Sequence, residues 1–212
     1  INIFREAVNG FYSREMAPHS EEFRKNKAVP KEYWRKAGAM GLLNTAIPEE
    51  YGGGGGDYRH EMIIMEELEN AEVDGFGLSL HNAIVAPYIL HYGTEEQKQK
   101  WLPRMATGEL IGSIAMTEPG TGSDLLNIKT TAKKSGNGWV INGSKTFITN
   151  GGSTNFVIIV ADTGGEGKHS KSLFVVETDG NPGFRRGRVL DKVGHDAADT
   201  AELFFDEMQV PA

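Results

Sequence analysis

Met116–Asp124 reads MTEPGTGSD and Trp139–Gly151 reads WVINGSKTFITNG, and the architecture expected of this chain turns on these two stretches. Each joins a short β-type run to hydroxyls, glycines and backbone amides. The run before Thr117, with Ile111, Ile114 and Met116, is extended, and a strand rising about 3.3 Å per residue lays alternate amides along one ligand edge. Gly120-Thr121-Gly122-Ser123 follows, and its glycines let amides approach an anion closely. In the second stretch Phe147 offers a flat face and Thr149 a hydroxyl. Taken singly these residues have plainer readings. Pro119-Gly120 is ordinary turn chemistry, Asp124 a local cap, Phe147 a core aromatic and Thr149 a strand residue. Taken together they are expected to edge a flat ring with a polar rim and an anionic arm, which suits a flavin and its diphosphate.

On the N-terminal side of these stretches the apolar spacing is helical. Phe4, Val8 and Phe11 repeat at i, i+4 and i+7, and Tyr33, Trp34 and Ala37 mark another stripe. Pro30 is placed to open a helix, Asp57 to cap a Tyr58–Ala71 helix, and Thr94 with Gln97 to form a capping box. Pro18, Pro48 and Pro103 mark expected ends or kinks. Past Gly108 the pattern changes to short runs rich in Val, Ile, Thr and Phe, namely Phe156–Ala161, Leu173–Glu177 and Ala201–Asp206, read as strands. Turn signals at Gly136–Gly138, Asn142-Gly143, Thr163–Gly167 and Asp179–Gly183 separate them, at the spacing of an antiparallel barrel or sandwich. The expectation is an all-α domain over residues 1–110 followed by an antiparallel β-barrel or sandwich domain over residues 111–212. The glycine run Gly52–Gly56 reads as a flexible turn between helices, since neither a phosphate-loop lysine nor the dinucleotide pattern follows it.

The chain has 212 residues, with 22 basic against 29 acidic side chains and a net charge of −7, so broad attraction to nucleic acid or an anionic membrane is not expected. With no cysteine, disulfides, thiolate nucleophiles and zinc ribbons are excluded. No run reaches the roughly 18 apolar residues of a membrane span and no signal-peptide pattern opens the chain, which reads as soluble and intracellular. Residue 1 falls close to an amphipathic run, so the native start is expected to lie upstream. His60-Glu61 lacks the second histidine of a zinc-protease helix because Ile64 occupies that position. Thr121 precedes Gly122-Ser123 where a nucleophile elbow requires glycine. The six histidines are scattered and read as surface or capping residues, with no metal site expected. Asn142-Gly143-Ser144 is formally a glycosylation sequon, in an expected turn. Of two basic clusters, Arg185, Arg186 and Arg188 read as solvated strand ends, whereas Lys168, His169 and Lys171 close a loop where a phosphate-bearing ligand could leave the site.

The strings AMTEPGTGSD (Ala115–Asp124), INGSKTFITNGG (Ile141–Gly152) and DTAELFFDEMQVPA (Asp199–Ala212) resemble the acyl-CoA dehydrogenase family along nearly the whole chain, most closely its long-chain branch, with the isovaleryl branch next. The resemblance implies an N-terminal helical domain, a middle β domain and a C-terminal four-helix domain, the third expected to be absent from these residues. It implies FAD as cofactor, with contacts from Ile114, Met116, Thr117, Gly122 and Ser123 and from Phe147, Ile148 and Thr149. Many relatives carry tryptophan at Phe147, so stacking is kept and an indole N–H lost. Substrate contacts fall on Ser123 and on Lys168 and His169, which would face the CoA portion. The implied reaction is α,β-dehydrogenation of an acyl-CoA thioester to the trans-2-enoyl thioester in fatty-acid β-oxidation. An electron-transfer flavoprotein is the implied acceptor, the full-length protein a homotetramer, and the location the bacterial cytoplasm or the mitochondrial matrix. The catalytic base is a glutamate expected beyond Ala212, so the segment alone is expected to be inactive. Two further readings stay open: a CoA- or partner-binding module without redox chemistry, and another flavoprotein, an oxidase or monooxygenase, on the same scaffold.

Overall fold

The computed structural model describes residues 1–165 and 170–211, which divide into two compact units: residues 1–112 with 191–199, and residues 113–190 with 200–212. The first unit is helical. Its helices are α1 (Asn2–Phe11), α2 (Ser20–Asn26), α3 (Lys31–Ala39), α4 (Tyr58–Asn70), the single turn α5 (Leu78–Leu80), α6 (Ala86–Tyr92) and α7 (Glu95–Ala106). Wider π-type turns at Tyr12–Met16 and His81–Val85 extend α1 and precede α6. The expected stripes form the core, where Val8, Phe11, Tyr33, Trp34 and Ala37 are buried with Ile63, Ile64 and Leu68 of α4. Both expected caps are present. The Asp57 carboxylate accepts from Arg59 N–H at 3.0 Å while Asp57 N–H donates to His60 Nδ1 at 3.1 Å. Thr94 and Gln97 exchange the two bonds of a capping box at 2.9 and 3.3 Å. Pro103 lies inside α7, in its last turn, and the helix ends at Ala106.

Gly52–Gly56 differs from its reading as a slack turn. Gly53, Gly54, Gly55 and Gly56 donate to the carbonyls of Pro48, Asn44, Ile47 and Thr45 at 3.2, 3.1, 2.9 and 2.8 Å. A Cβ at Gly53 would sit 2.2 Å from the Ile47 oxygen, so glycine is required there by close packing. Residues 191–199 also belong to this unit. Ala197 is buried in its core, and Gly75, at φ +80°, leaves no room for a Cβ beside Ala197 and Ala198.

The second unit is one curled, mixed sheet of seven strands, a half-barrel. Its strands are β1 (Gly112–Ala115), β2 (Thr131–Ser135), β3 (Gly138–Ile148), β4 (Phe156–Asp162), β5 (Lys171–Glu177), β6 (Phe184–Val189) and β7 (Ala201–Pro211). The order is β1-β4-β2-β3-β7-β6 with β5 on β4, and β2 meets β4 in parallel at Thr131 and Asp162. Alternate residues fill the core: Val157, Ile159 and Ala161 of β4, Phe174 and Val176 of β5, and Leu203 and Phe205 of β7.

Asn142-Gly143 is not a turn. It lies in the middle of the 11-residue β3, where the register with β7 shifts between Ile141 and Gly143. The extra residue is on β7 at Glu207, which adopts φ +45°, and Asn142 closes that bulge by donating to the Glu207 carboxylate at 2.7 Å and accepting from its N–H at 2.8 Å. A second shift, between Lys145 and Ile148, puts the extra residue on β3 itself, at a φ of +57° for Phe147.

Candidate functional site

Both bulges shape the place where the two diagnostic stretches meet. Pairing of Gly143 with Phe205 and of Lys145 with Leu203 puts Trp139, Ile141, Gly143 and Lys145 on the core-facing side of β3. The Phe147 bulge then resets the alternation, so that Ile148 is buried in the core while Phe147 is 67% exposed. An exposed aromatic in the left-handed region is costly on both counts, which marks it as a residue held for contact with something else.

The first stretch runs alongside. Thr117 accepts from Thr146 N–H at 2.9 Å, bringing the residue before Phe147 against the flank of Thr117. Glu118 and Thr121 exchange backbone bonds of 2.9 and 3.1 Å, closing a tight hairpin with Pro119-Gly120 at its tip. Past the hairpin, Gly122, Ser123 and Asp124 are exposed, and nothing lies within 4 Å of a Cβ built at Gly120 or Gly122. Asp124 keeps its plain local role, since its carbonyl accepts from the Thr121 hydroxyl and its carboxylate from Asn127. Among the described residues the hydroxyls of Thr117, Ser123 and Thr149 and the amides of Gly122 and Ser123 have no partner within the chain.

Beneath the two stretches lies a buried ion pair that sequence reading missed. Lys145 Nζ is 3.0 Å from the Glu118 carboxylate and donates to the Met116 carbonyl at 2.8 Å, and the two side chains are 0% and 4% exposed. Glu118 also accepts from the N–H groups of Lys129 and Thr130 at 2.5 and 2.8 Å. Burial pushes the Glu118 carboxyl up, but the Thr130 hydroxyl, those N–H groups and Lys145 outweigh it and hold it below the usual carboxylate range. Burial pushes the Lys145 ammonium down, against the pull of Glu118. Gly143 makes room for this arrangement, since its Cβ would fall 2.4 Å from Thr130 Oγ1. The signal was the alternation Trp139, Ile141, Gly143, Lys145, hidden by reading Asn142-Gly143 as a turn.

Of the residues expected at the site, Met116, Thr117 and Phe147 are thus brought together, Thr149 follows half-buried, and Ser123 stands exposed beyond the hairpin. Ile114 is half-buried in β1, and the Ile148 side chain belongs to the core while its carbonyl accepts from Gly151 N–H at 3.0 Å. Lys168 and His169 lie outside the described residues. The arginine cluster is engaged locally. Arg185 sits 4.2 Å above the Phe204 ring, Arg186 donates to the Thr154 carbonyl and Arg188 is 3.4 Å from Glu202. His81 departs from the surface reading of the histidines. It is fully buried, with Nδ1 accepting from Gly112 N–H at 3.0 Å and Nε2 facing the Met105 carbonyl at 3.2 Å. No group of three metal-ligating side chains occurs among the described residues, and no helix there is long and apolar enough to cross a membrane.

An exposed flat ring, unpartnered hydroxyls beside it and free amides on a glycine loop can take a planar heterocycle with a polar rim and an anionic arm. Comparison with known proteins points the same way. The acyl-CoA dehydrogenase N-terminal domain model matches residues 2–109 and the middle domain model residues 113–208. The chain is 50% identical to the mitochondrial long-chain specific acyl-CoA dehydrogenase of Mus musculus over its whole length, covering 50% of that protein. The crystal structure of an acyl-CoA dehydrogenase from Geobacillus kaustophilus superposes with a TM-score of 0.95 at 50% identity, covering all of this chain and 56% of that one. A glutaryl-CoA dehydrogenase from Mycobacterium smegmatis, solved in complex with FADH2, superposes at 0.87 with 30% identity, over all of this chain and 53% of that one. The chain therefore spans about half the length of the relatives it matches. With family models matching along both units, the chain belongs to the acyl-CoA dehydrogenase family.

Proposed function

We propose that these residues are the helical domain (1–110) and β domain (111–212) of a FAD-dependent dehydrogenase that converts acyl-CoA thioesters to trans-2-enoyl-CoA in fatty-acid β-oxidation. The observation that carries the reading is Phe147, exposed and left-handed at a β-bulge and tied through Thr146 to Thr117. The residues present fit the cofactor. The Phe147 ring would stack on the flavin, the hydroxyls of Thr117 and Thr149 and the backbone of Met116 and Ile148 would meet its rim, and Gly122 and Ser123 would donate to the diphosphate. Ile114 would support that edge from β1. Ser123, Lys168 and His169 are the proposed contacts to the CoA portion.

FAD, when bound, supplies the acceptor for the hydride that leaves the substrate's β carbon. The protein's task is then to hold the ring edge-on to fixed donors and to take the α proton with a base. Glu118 is not that base, because its carboxylate is already held by two backbone N–H groups and Lys145. A positioned base is worth about 10²- to 10⁴-fold, and the proposed one is a glutamate outside residues 1–212. The proposed electron acceptor is an electron-transfer flavoprotein and the proposed assembly a homotetramer, in the cytoplasm of a bacterium or the mitochondrial matrix of a eukaryote.

The test is anaerobic mixing of the full-length natural protein, loaded with FAD, with saturated acyl-CoA thioesters of graded length. Bleaching of the oxidised-flavin absorbance with formation of 2-enoyl-CoA is expected. Failure to bind FAD, or an unbleached flavin with every thioester, would contradict the proposal.

A further inference from the structure

Lys145 is a charge in an apolar row. It follows Trp139, Ile141 and Gly143 on the core face of β3, opposite the fully buried Leu203. Burying an ion pair is a poor route to stability, because desolvation takes back most of the Coulomb gain and an apolar pair of the same volume serves as well. Nor is the pair needed to close the hairpin, which Glu118 and Thr121 do through their backbones. What Lys145 touches instead is the backbone that edges the site. Its ammonium pulls on the oxygen of the Met116–Thr117 peptide group at 2.8 Å. The N–H of that same peptide belongs to Thr117 and has no acceptor among the described residues. Drawing charge into a peptide oxygen makes its N–H a stronger donor, and a low-dielectric setting enlarges the effect.

We infer that Lys145 is a positioning residue for the flavin ring: it sets the donor strength of the Thr117 N–H toward the ring's rim and, balanced by Glu118, the charge beneath it. The inference rests on the flavin reading above. Lys145 acts through the peptide and does not touch the cofactor. Negative charge gained by the ring on reduction is favoured by a stronger N–H donor and by net positive charge behind it. Removing both charges should therefore weaken reduced FAD more than oxidised FAD, whereas removing the negative partner alone should do the reverse.

The experiment uses the full-length natural protein, its Lys145→Met/Glu118→Gln double variant and its Glu118→Gln variant, each titrated with FAD and then by redox titration, with circular dichroism as the control for folding. In the double variant the affinity for reduced over oxidised FAD should fall about tenfold, about 30 mV for a two-electron couple. In Glu118→Gln it should rise. Such opposite signs do not come from a merely structural role. An unchanged ratio in the variants that fold overturns the inference, as does failure of both to fold, which would make the pair a structural requirement. If the unmodified protein binds no FAD, the flavin reading itself fails and this inference falls with it. Normal FAD binding with unshifted variants sinks the inference alone.

Discussion

Phe147 carries two opposed demands in one residue. Its left-handed backbone costs about 1–2 kcal/mol relative to glycine, and its ring gives little to the core because most of it is in solvent. Phe147→Gly is therefore expected to leave the thermal midpoint of the cofactor-free protein level or higher, since relief of strain meets the roughly 0.5–1 kcal/mol entropic cost of glycine. FAD affinity should fall tenfold or more, as stacking of this kind is worth about 1–3 kcal/mol. Calorimetry with a flavin-fluorescence titration reads both, and a large loss of stability without loss of affinity would mean the ring serves packing. His81 makes a different prediction. Burial holds its imidazole down to about 4, while the unfolded chain takes up a proton near 6.5. The unfolded state thus binds the extra proton, and helical-unit stability present above pH 6.5 is lost as pH falls toward 4, by about 3 kcal/mol at most. Urea midpoints against pH should show this acid limb, flattened in His81→Gln; parallel curves would refute the role. The burial of His81 was not legible because its two partners, Gly112 and Met105, are 31 and 24 residues away.

Among the elements, β3 holds the most instructive mismatch. Asn-Gly is a strong local turn signal, yet here the side chain of Asn142 is spent on the Glu207 bulge of β7, 65 residues on. The caps at Asp57 and Thr94 were legible because all their atoms lie within one helical turn. A bulge is a property of two strands, and the register that makes one cannot be read from either alone. Gly143→Ala follows from this geometry. With φ +152° and Thr130 Oγ1 2.4 Å from the new Cβ, the substitution should cost about 1–3 kcal/mol and loosen FAD. Thr94→Ala, with a cost of about 1 kcal/mol, should leave FAD affinity unchanged. Urea unfolding and FAD titration of the pair separate the two cases, and equal effects on affinity would disconnect Gly143 from the site.

For the molecule as a whole, the change from period 3.6 to period 2 near Gly108 foretold a helical part followed by a β part. The return of residues 191–199 to the helical unit was hidden, since Ala197 earns its burial only through contact with residues around Gly75. The site was legible to the extent that its residues are contiguous. Met116, Thr117, Phe147 and Thr149 stand in two short strings, whereas Lys145 and Glu118 become a pair only when the strings meet. In the proposed function a flavin ring lies against the β unit, backed by Phe147 and edged by Thr117 and Thr149. A crystal structure of the full-length natural protein grown with FAD is the deciding measurement. The expected result is the isoalloxazine stacked on Phe147, with ring centroids about 4.5–7 Å apart and the Thr117 and Thr149 hydroxyls at its rim; a ring bound elsewhere, with Phe147 still open to solvent, would overturn the proposal.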